Sequence, residues 1–169
     1  KRVFSKKVQI SERPHLRGGF ASGFFDSDGV ATQDREVVVD GVLQGYFLNA
    51  YTARKLGMQT TANAGGCHNL IVHPGKHDFQ ALLKKMGRGL LVTELLGQGI
   101  NYVNGDYSRG AAGYWVEHGE IVHAVEEITI AGNLSDMFRN IAAVGNDVLV
   151  RGSKQVGSIL VERMKVAGS

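Results

Sequence analysis

Residues 87–132 read GRGLLVTELLGQGINYVNGDYSRGAAGYWVEHGEIVHAVEEITIAG, and their pattern decides the fold. The apolar run Leu90 to Leu95 reads as a strand. A glycine-rich stretch follows from Gly97 to Gly113, with the polar cluster Gly105-Asp106-Tyr107-Ser108-Arg109-Gly110 inside it. Tyr114 to Glu117 and Glu120 to His123 then flank His118-Gly119 as a hairpin, and Glu127 to Ile130 reads as the next strand. Strands that succeed one another through turns, with no helix between them, belong to antiparallel sheets. The spacing predicts one long loop over 97–113. Loops of that length in a compact domain are usually functional or disordered, so the search for a site begins there.

Outward from this stretch, the punctuation predicts three short helices. Asp78 caps Phe79 to Met86 and Gly87 ends it; Ala50 to Leu56 ends in basic residues before Gly57. Asn133 caps a helix from Leu134 to about Ala143, with Asp136 in its first turn and Gly145 or Asn146 as its stop. Upstream, Asp40-Gly41 between Glu36–Val39 and Val42–Leu48 is a strong hairpin signal. Val3 to Ile10, Asn69 to Val72, Ser158 to Val161 and Met164 to Val166 read as further strands. The fold class is α+β, mainly antiparallel β-sheet and hairpins with three short helices, in one domain over residues 1–169.

Composition fits that class. The 169 residues include 23 glycines and only two prolines, which favours tight turns over a flexible linker. A net charge of +3 from scattered basic residues does not build the basic face of a nucleic-acid binder. No apolar run approaches the ~18 residues of a membrane-spanning helix. The single cysteine, Cys67, excludes an internal disulfide framework and points to a reducing, cytoplasmic setting. A chain that opens at Lys1 in strand-like sequence reads as part of a longer protein.

Three groups of residues compete as sites. Cys67, His73 and His77, with His68 beside them, are all metal-ligand types, and a stand-alone metal-dependent hydrolase could use that loop. The i,i+4 histidine spacing serves zinc on a helix, however, and Pro74-Gly75 interrupts one here. Asp106, Tyr107, Ser108 and Arg109 form the second group. Asp106 can close an Asx turn and Arg109 can pair with a carboxylate, or the four can hold a peptide. Tyr114 and Trp115 form the third, as interface or core aromatics. No serine-nucleophile elbow or dinucleotide fingerprint is present, and the residues themselves supply no catalytic set.

The ordered segments Phe25-Asp26-Ser27-Asp28-Gly29-Val30, Asp40-Gly41-Val42-Leu43, Tyr51-Thr52-Ala53-Arg54-Lys55-Leu56-Gly57 and Ala64-Gly65-Gly66 carry a resemblance. It continues through Gly105-Asp106-Tyr107-Ser108-Arg109-Gly110-Ala111, Glu127 to Leu134, Val144-Gly145-Asn146-Asp147 and Met164 to Gly168. Together they resemble the C-terminal part of the PmbA/TldD family, also called modulator of DNA gyrase, and the PmbA (TldE) branch in particular. The resemblance implies a cytoplasmic, two-subunit zinc metalloprotease that acts on unfolded peptides and peptide precursors such as microcins. It places the zinc on a TldD-like partner, held by an HExxxH histidine pair and a cysteine near the C-terminus. This chain has no HExxxH and no cysteine between Gly145 and Gly157. The resemblance therefore implies a non-catalytic subunit without its own metal, contributing scaffold and peptide binding. Its partner would be a TldD-like subunit in a heterodimer, or a second copy through self-association. A pure protein-interaction module is the remaining alternative.

Overall fold

The long hairpin dominates the architecture. The computed structural model describes residues 1–168. In it β5 (Gly89–Leu96), β6 (Asp106–Glu117) and β7 (Glu120–Asn133) lie side by side, with β12 (Lys165–Ala167) on the far edge of β7. β6 and β7 turn at His118-Gly119, whose φ values of 52° and 79° suit the two left-handed positions of a two-residue hairpin. The strand begins at Asp106, so the predicted loop over 97–113 is wrong in extent. Only Gly97 to Gly105 is irregular, and Asp106 to Gly113 is ladder-paired to β7, from Asp106↔Asn133 to Gly113↔Val125. The glycines misled because in β6 they permit close strand approach: a Cβ on Gly113 would overlap the Leu91 carbonyl of β5.

A second sheet has six strands: β3 (Val42–Leu43), β2 (Arg35–Val39), β1 (Ile10–Glu12), β4 (Leu70–Val72), β10 (Lys154–Val156) and β9 (Leu149–Arg151), in that order. Its pairs are antiparallel except β10 with β4. β8 (Ile141–Val144) and β11 (Ile159–Val161) form a separate antiparallel pair. Here the sequence reading needs correction again. The helix α3 is Leu134–Arg139, capped by Asn133 as expected, but Ile141–Val144 is extended and not helical. Ile141 and Val144 join Val8, Val37 and Val38 in one core cluster, and burial there outweighs the helical propensity of two alanines. The helices α1 (Ala50–Lys55) and α2 (Phe79–Met86) form as expected. Asp78 Oδ1 accepts the Ala81 N–H at 2.7 Å, the N-cap geometry its sequence position foretold.

The second core cluster sits on one face of the four-stranded sheet, where Tyr107, Ala111, Ile128 and Ile130 pack with Leu134, Met137 and Met164. Between β1 and α2 the chain makes long excursions, residues 13–34 and 44–69, which are tied into one loop layer by hydrogen bonds such as Ser27 N–H to the Ala64 carbonyl and Ala50 N–H to Asp28. No helix among the described residues is long and apolar enough to cross a membrane.

Candidate functional site

The loop layer is organised by one buried carboxylate. Glu12, at the end of β1, has 1% of its surface exposed. Arg35 is its cross-strand neighbour on β2, and Arg35 Nε donates to Glu12 Oε2 at 2.7 Å. Asn63 Nδ2 and the His68 backbone N–H both donate to Glu12 Oε1, each at 2.7 Å. Arg35 also donates to the Tyr46 carbonyl at 2.9 Å and to Asn63 Oδ1 at 3.1 Å. Every oxygen of the buried charge therefore has a donor, the condition under which such a pair is tolerated. The consequence is geometric: one carboxylate ties β1, β2 and the 60–68 loop together.

Asp26 makes the second tie. Its Oδ1 accepts the backbone N–H groups of Asp28 and Val30 at 2.9 Å, and its Oδ2 accepts that of Ala64 at 3.0 Å. Burial opposes the charge. The donors Ala64, Val30 and Asp28, with His68 nearby, outweigh it and hold the carboxyl below the ordinary aspartate value of 3.8. Asp28 in turn accepts the Ala50 N–H at the start of α1, at 2.9 Å. Thus 25–30, 51–57 and 64–66, the segments that carry the family resemblance in this half, meet in space. Among the described residues no buried side-chain polar atom lacks a partner.

Sequence reasoning missed this hub. No periodic signal marked it: Ser11 and Glu12 are both buried beside the register shift in β1.

The Cys67 loop does not assemble ligands. His73 Nε2 lies 2.9 Å from Ser11 Oγ, and the ring nitrogens of His68 lie 3.0 Å from the Ala21 carbonyl and 3.2 Å from the Ala62 carbonyl. His77 sits apart, in a bridge to Gly145. Among the described residues no three His, Cys, Asp or Glu side chains gather as a metal would require. The residues present do not fit zinc.

Asp106 to Arg109 occupy the start of β6. Tyr107 is in the core, while Asp106 and Ser108 point to the opposite, open face. Asp106 accepts from Asn104 Nδ2 at 2.7 Å, and the Asx turn expected of it belongs to Asn101, whose Oδ1 accepts the Val103 N–H at 2.9 Å. Arg109 braces carbonyls and not a carboxylate: it donates to Leu95 O at 3.2 Å and Leu96 O at 3.4 Å. The backbone here is already paired, since Ser108 N–H donates to Gly99 O at 2.7 Å.

Tyr114 and Trp115 face opposite sides of β6. Tyr114 is 40% exposed on the open face. Trp115 borders an apolar groove of about 810 Å³ with Leu83, Met86, Leu90, Leu160 and Met164, and its Nε1–H donates to Glu117 Oε1 at 3.0 Å.

Comparison with known proteins agrees with this architecture. The sequence profile of the PmbA/TldA metallopeptidase C-terminal domain matches residues 1–168. The chain is 52% identical over 168 residues to metalloprotease PmbA of Escherichia coli O157:H7, covering 99% of this chain and 37% of that protein. It is 54% identical over 170 residues to the PmbA homologue of Haemophilus influenzae, covering 100% and 38%. A Thermotoga maritima structure described as a modulator of a DNA gyrase superposes with a TM-score of 0.90 at 43% identity, covering 99% of this chain and 40% of that one. TldE of Thermococcus kodakarensis superposes at 0.87 over 99% of this chain and 41% of its own; at 23% identity that likeness concerns the fold alone. The chain thus spans little more than a third of the length of the curated relatives it matches.

Proposed function

We propose, because the chain belongs to the PmbA/TldD metallopeptidase family, that it is the C-terminal domain of a PmbA-type subunit in a cytoplasmic peptide-cleaving complex. The subunit itself is non-catalytic. The observation that carries this reading is the state of its own titratable groups. The oxygens of Glu12 and Asp26 are taken up by donors, both ring nitrogens of His68 face backbone carbonyls, and among the described residues no three metal-ligating side chains gather. The domain supplies a frame. The zinc and the nucleophilic water belong to a TldD-like partner, and this chain derives no chemical step from them.

Peptide binding is assigned to the open face at the start of β6. Asp106 and Ser108 present polar atoms there, and Tyr107 and Arg109 fix the strand behind them. Tyr114, on the same face, lies toward a subunit contact. Self-association through that face is the alternative to a heterodimer.

Reconstitution tests the reading. The isolated protein should leave an unstructured peptide intact. Adding an HExxxH-bearing TldD-type subunit should bring cleavage that a chelator abolishes. Cleavage by the protein alone, abolished by chelator, would overturn the assignment.

A further inference from the structure

The ring of His68 stands between two loops. Its Nδ1 lies 3.0 Å from the Ala21 carbonyl, on the 13–34 excursion, and its Nε2 lies 3.2 Å from the Ala62 carbonyl, on the 44–69 excursion. A carbonyl oxygen only accepts. A neutral imidazole has one N–H and one lone pair, so it bonds one carbonyl and sets its lone pair against the other. An imidazolium has two N–H groups and bonds both. Neither carbonyl has another protein donor among the described residues. Two other histidines show the contrast. His15 Nε2 lies 3.1 Å from Thr32 Oγ1 and His73 Nε2 lies 2.9 Å from Ser11 Oγ. A hydroxyl donates or accepts, so either contact suits a neutral ring.

The charges around the ring favour a cation there. Asp26, from the 13–34 excursion, lies close enough for its carboxylate and the ring to attract. Glu12, at the end of β1, accepts the His68 backbone N–H and is matched by Arg35 from β2. Arg13 pairs with Glu36, and Cys67 is the ring's neighbour along the chain. Both glutamates thus have an arginine, while Asp26 has no arginine or lysine within ion-pair distance among the described residues.

Both anchoring carbonyls are held in place. Ala21 N–H donates to Asn69 Oδ1 at 3.0 Å, so His68 and Asn69 grip both backbone groups of Ala21. Ala62 is 3% exposed and has φ 56°, a left-handed conformation that an alanine keeps only where its surroundings hold it. Neither carbonyl swings away readily when the ring loses a proton.

We propose that His68 is a proton-operated clamp: with a proton on each ring nitrogen it locks residues 19–22 to residues 60–64, and on losing one it releases a carbonyl and loosens the loop layer. The closed layer then binds one proton more than the open layer in the range where a free imidazole, ordinarily near 6.5, has become neutral. Linkage makes the layer tightest on the acid side of that range and looser as the pH rises through it. Asp26 acts lower, since its carboxyl lies below the ordinary 3.8. The loop layer is therefore responsive to pH near neutrality. The clamp is a property of this layer and is independent of the subunit's proposed role.

NMR of the histidine ring nitrogens and hydrogen exchange, both on the full-length protein, test the clamp. With isotope-labelled histidine, the His68 signal is identified by its absence from His68→Gln. It should show both ring nitrogens protonated at a pH where the exposed His118 and His123 have lost a proton. The amides of Gly23, Ser27 and Gly66 bond within the layer. Their exchange, corrected for the chemical rate, should rise by up to about tenfold per pH unit from about pH 6.5 upward, with β6 and β7 unchanged. In His68→Gln that rise should vanish. A His68 ring with one bare nitrogen while the layer is protected, exchange indifferent to pH, or an equal rise in β6 and β7 would each overturn the proposal. The exchange measurement needs only the wild type, so it decides even where the variant does not fold.

Discussion

In the β6–β7 hairpin, order comes from the backbone: twelve and fourteen residues pair in a continuous ladder, broken only by bulges. In the loop layer, order comes from side chains: Glu12, Asp26, Asn63 and Arg35 capture backbone groups that no ladder reaches. The hairpin can lose most single side chains and keep its shape, because its hydrogen bonds lie in the main chain. The loop layer cannot, because each hub side chain serves several segments at once. The difference teaches where the family resemblance resides. Of the segments that carry it, 25–30, 51–57 and 64–66 are joined by Asp26 and Asp28, and 105–111 and 127–134 by the ladder of β6 and β7.

The largest expected effect breaks the loop layer. Glu12→Ala strands Arg35 without its buried partner and should cost ~3–5 kcal/mol, read as a shift of the urea midpoint. Hydrogen exchange should rise over residues 18–30 and 60–68 while β6 and β7 stay protected. Equal loss in both regions would erase the contrast. Gly113→Ala attacks the hairpin through its backbone instead. The added Cβ meets the Leu91 carbonyl, and the strands must separate at a cost of ~1–3 kcal/mol.

Arg109→Ala removes two hydrogen bonds to carbonyls from a half-buried side chain, for about 1 kcal/mol. If Arg109 served substrate alone, stability would hold and peptide turnover by the complex would fall. The smallest effect is a titration. The folded value of Asp26 lies below its ordinary 3.8, so its stabilisation is complete above that value. It drains away as the pH falls through the depressed folded value. Between about pH 5 and pH 2, the Phe24 and Phe25 resonances should move before those of β6; simultaneous movement would detach Asp26 from the loop's order.

Much of the fold was legible because punctuation is local. Asp78, Asn133, Asp40-Gly41 and His118-Gly119 each impose their geometry on the next few residues, and each element formed where they stand. What failed was non-local. Asp106 to Gly113 reads as loop by composition but is strand because β7 and β5 lie on either side. Ile141 to Val144 reads as the end of a helix but is drawn into the core by Val8 and Val38. The short strands β9 and β10 were missed, since three-residue segments carry no periodicity. The hub was missed because it is non-local: the partners of Glu12 lie 23, 51 and 56 residues away.

The central claim, that the acids and imidazoles of the loop layer assemble no metal site, meets its most direct test in elemental analysis. Purified protein is incubated with zinc, dialysed and assayed alongside a His73→Ala/His77→Ala double variant. The account predicts zinc far below one equivalent in both. One equivalent retained by the wild type and lost in the double variant would contradict it.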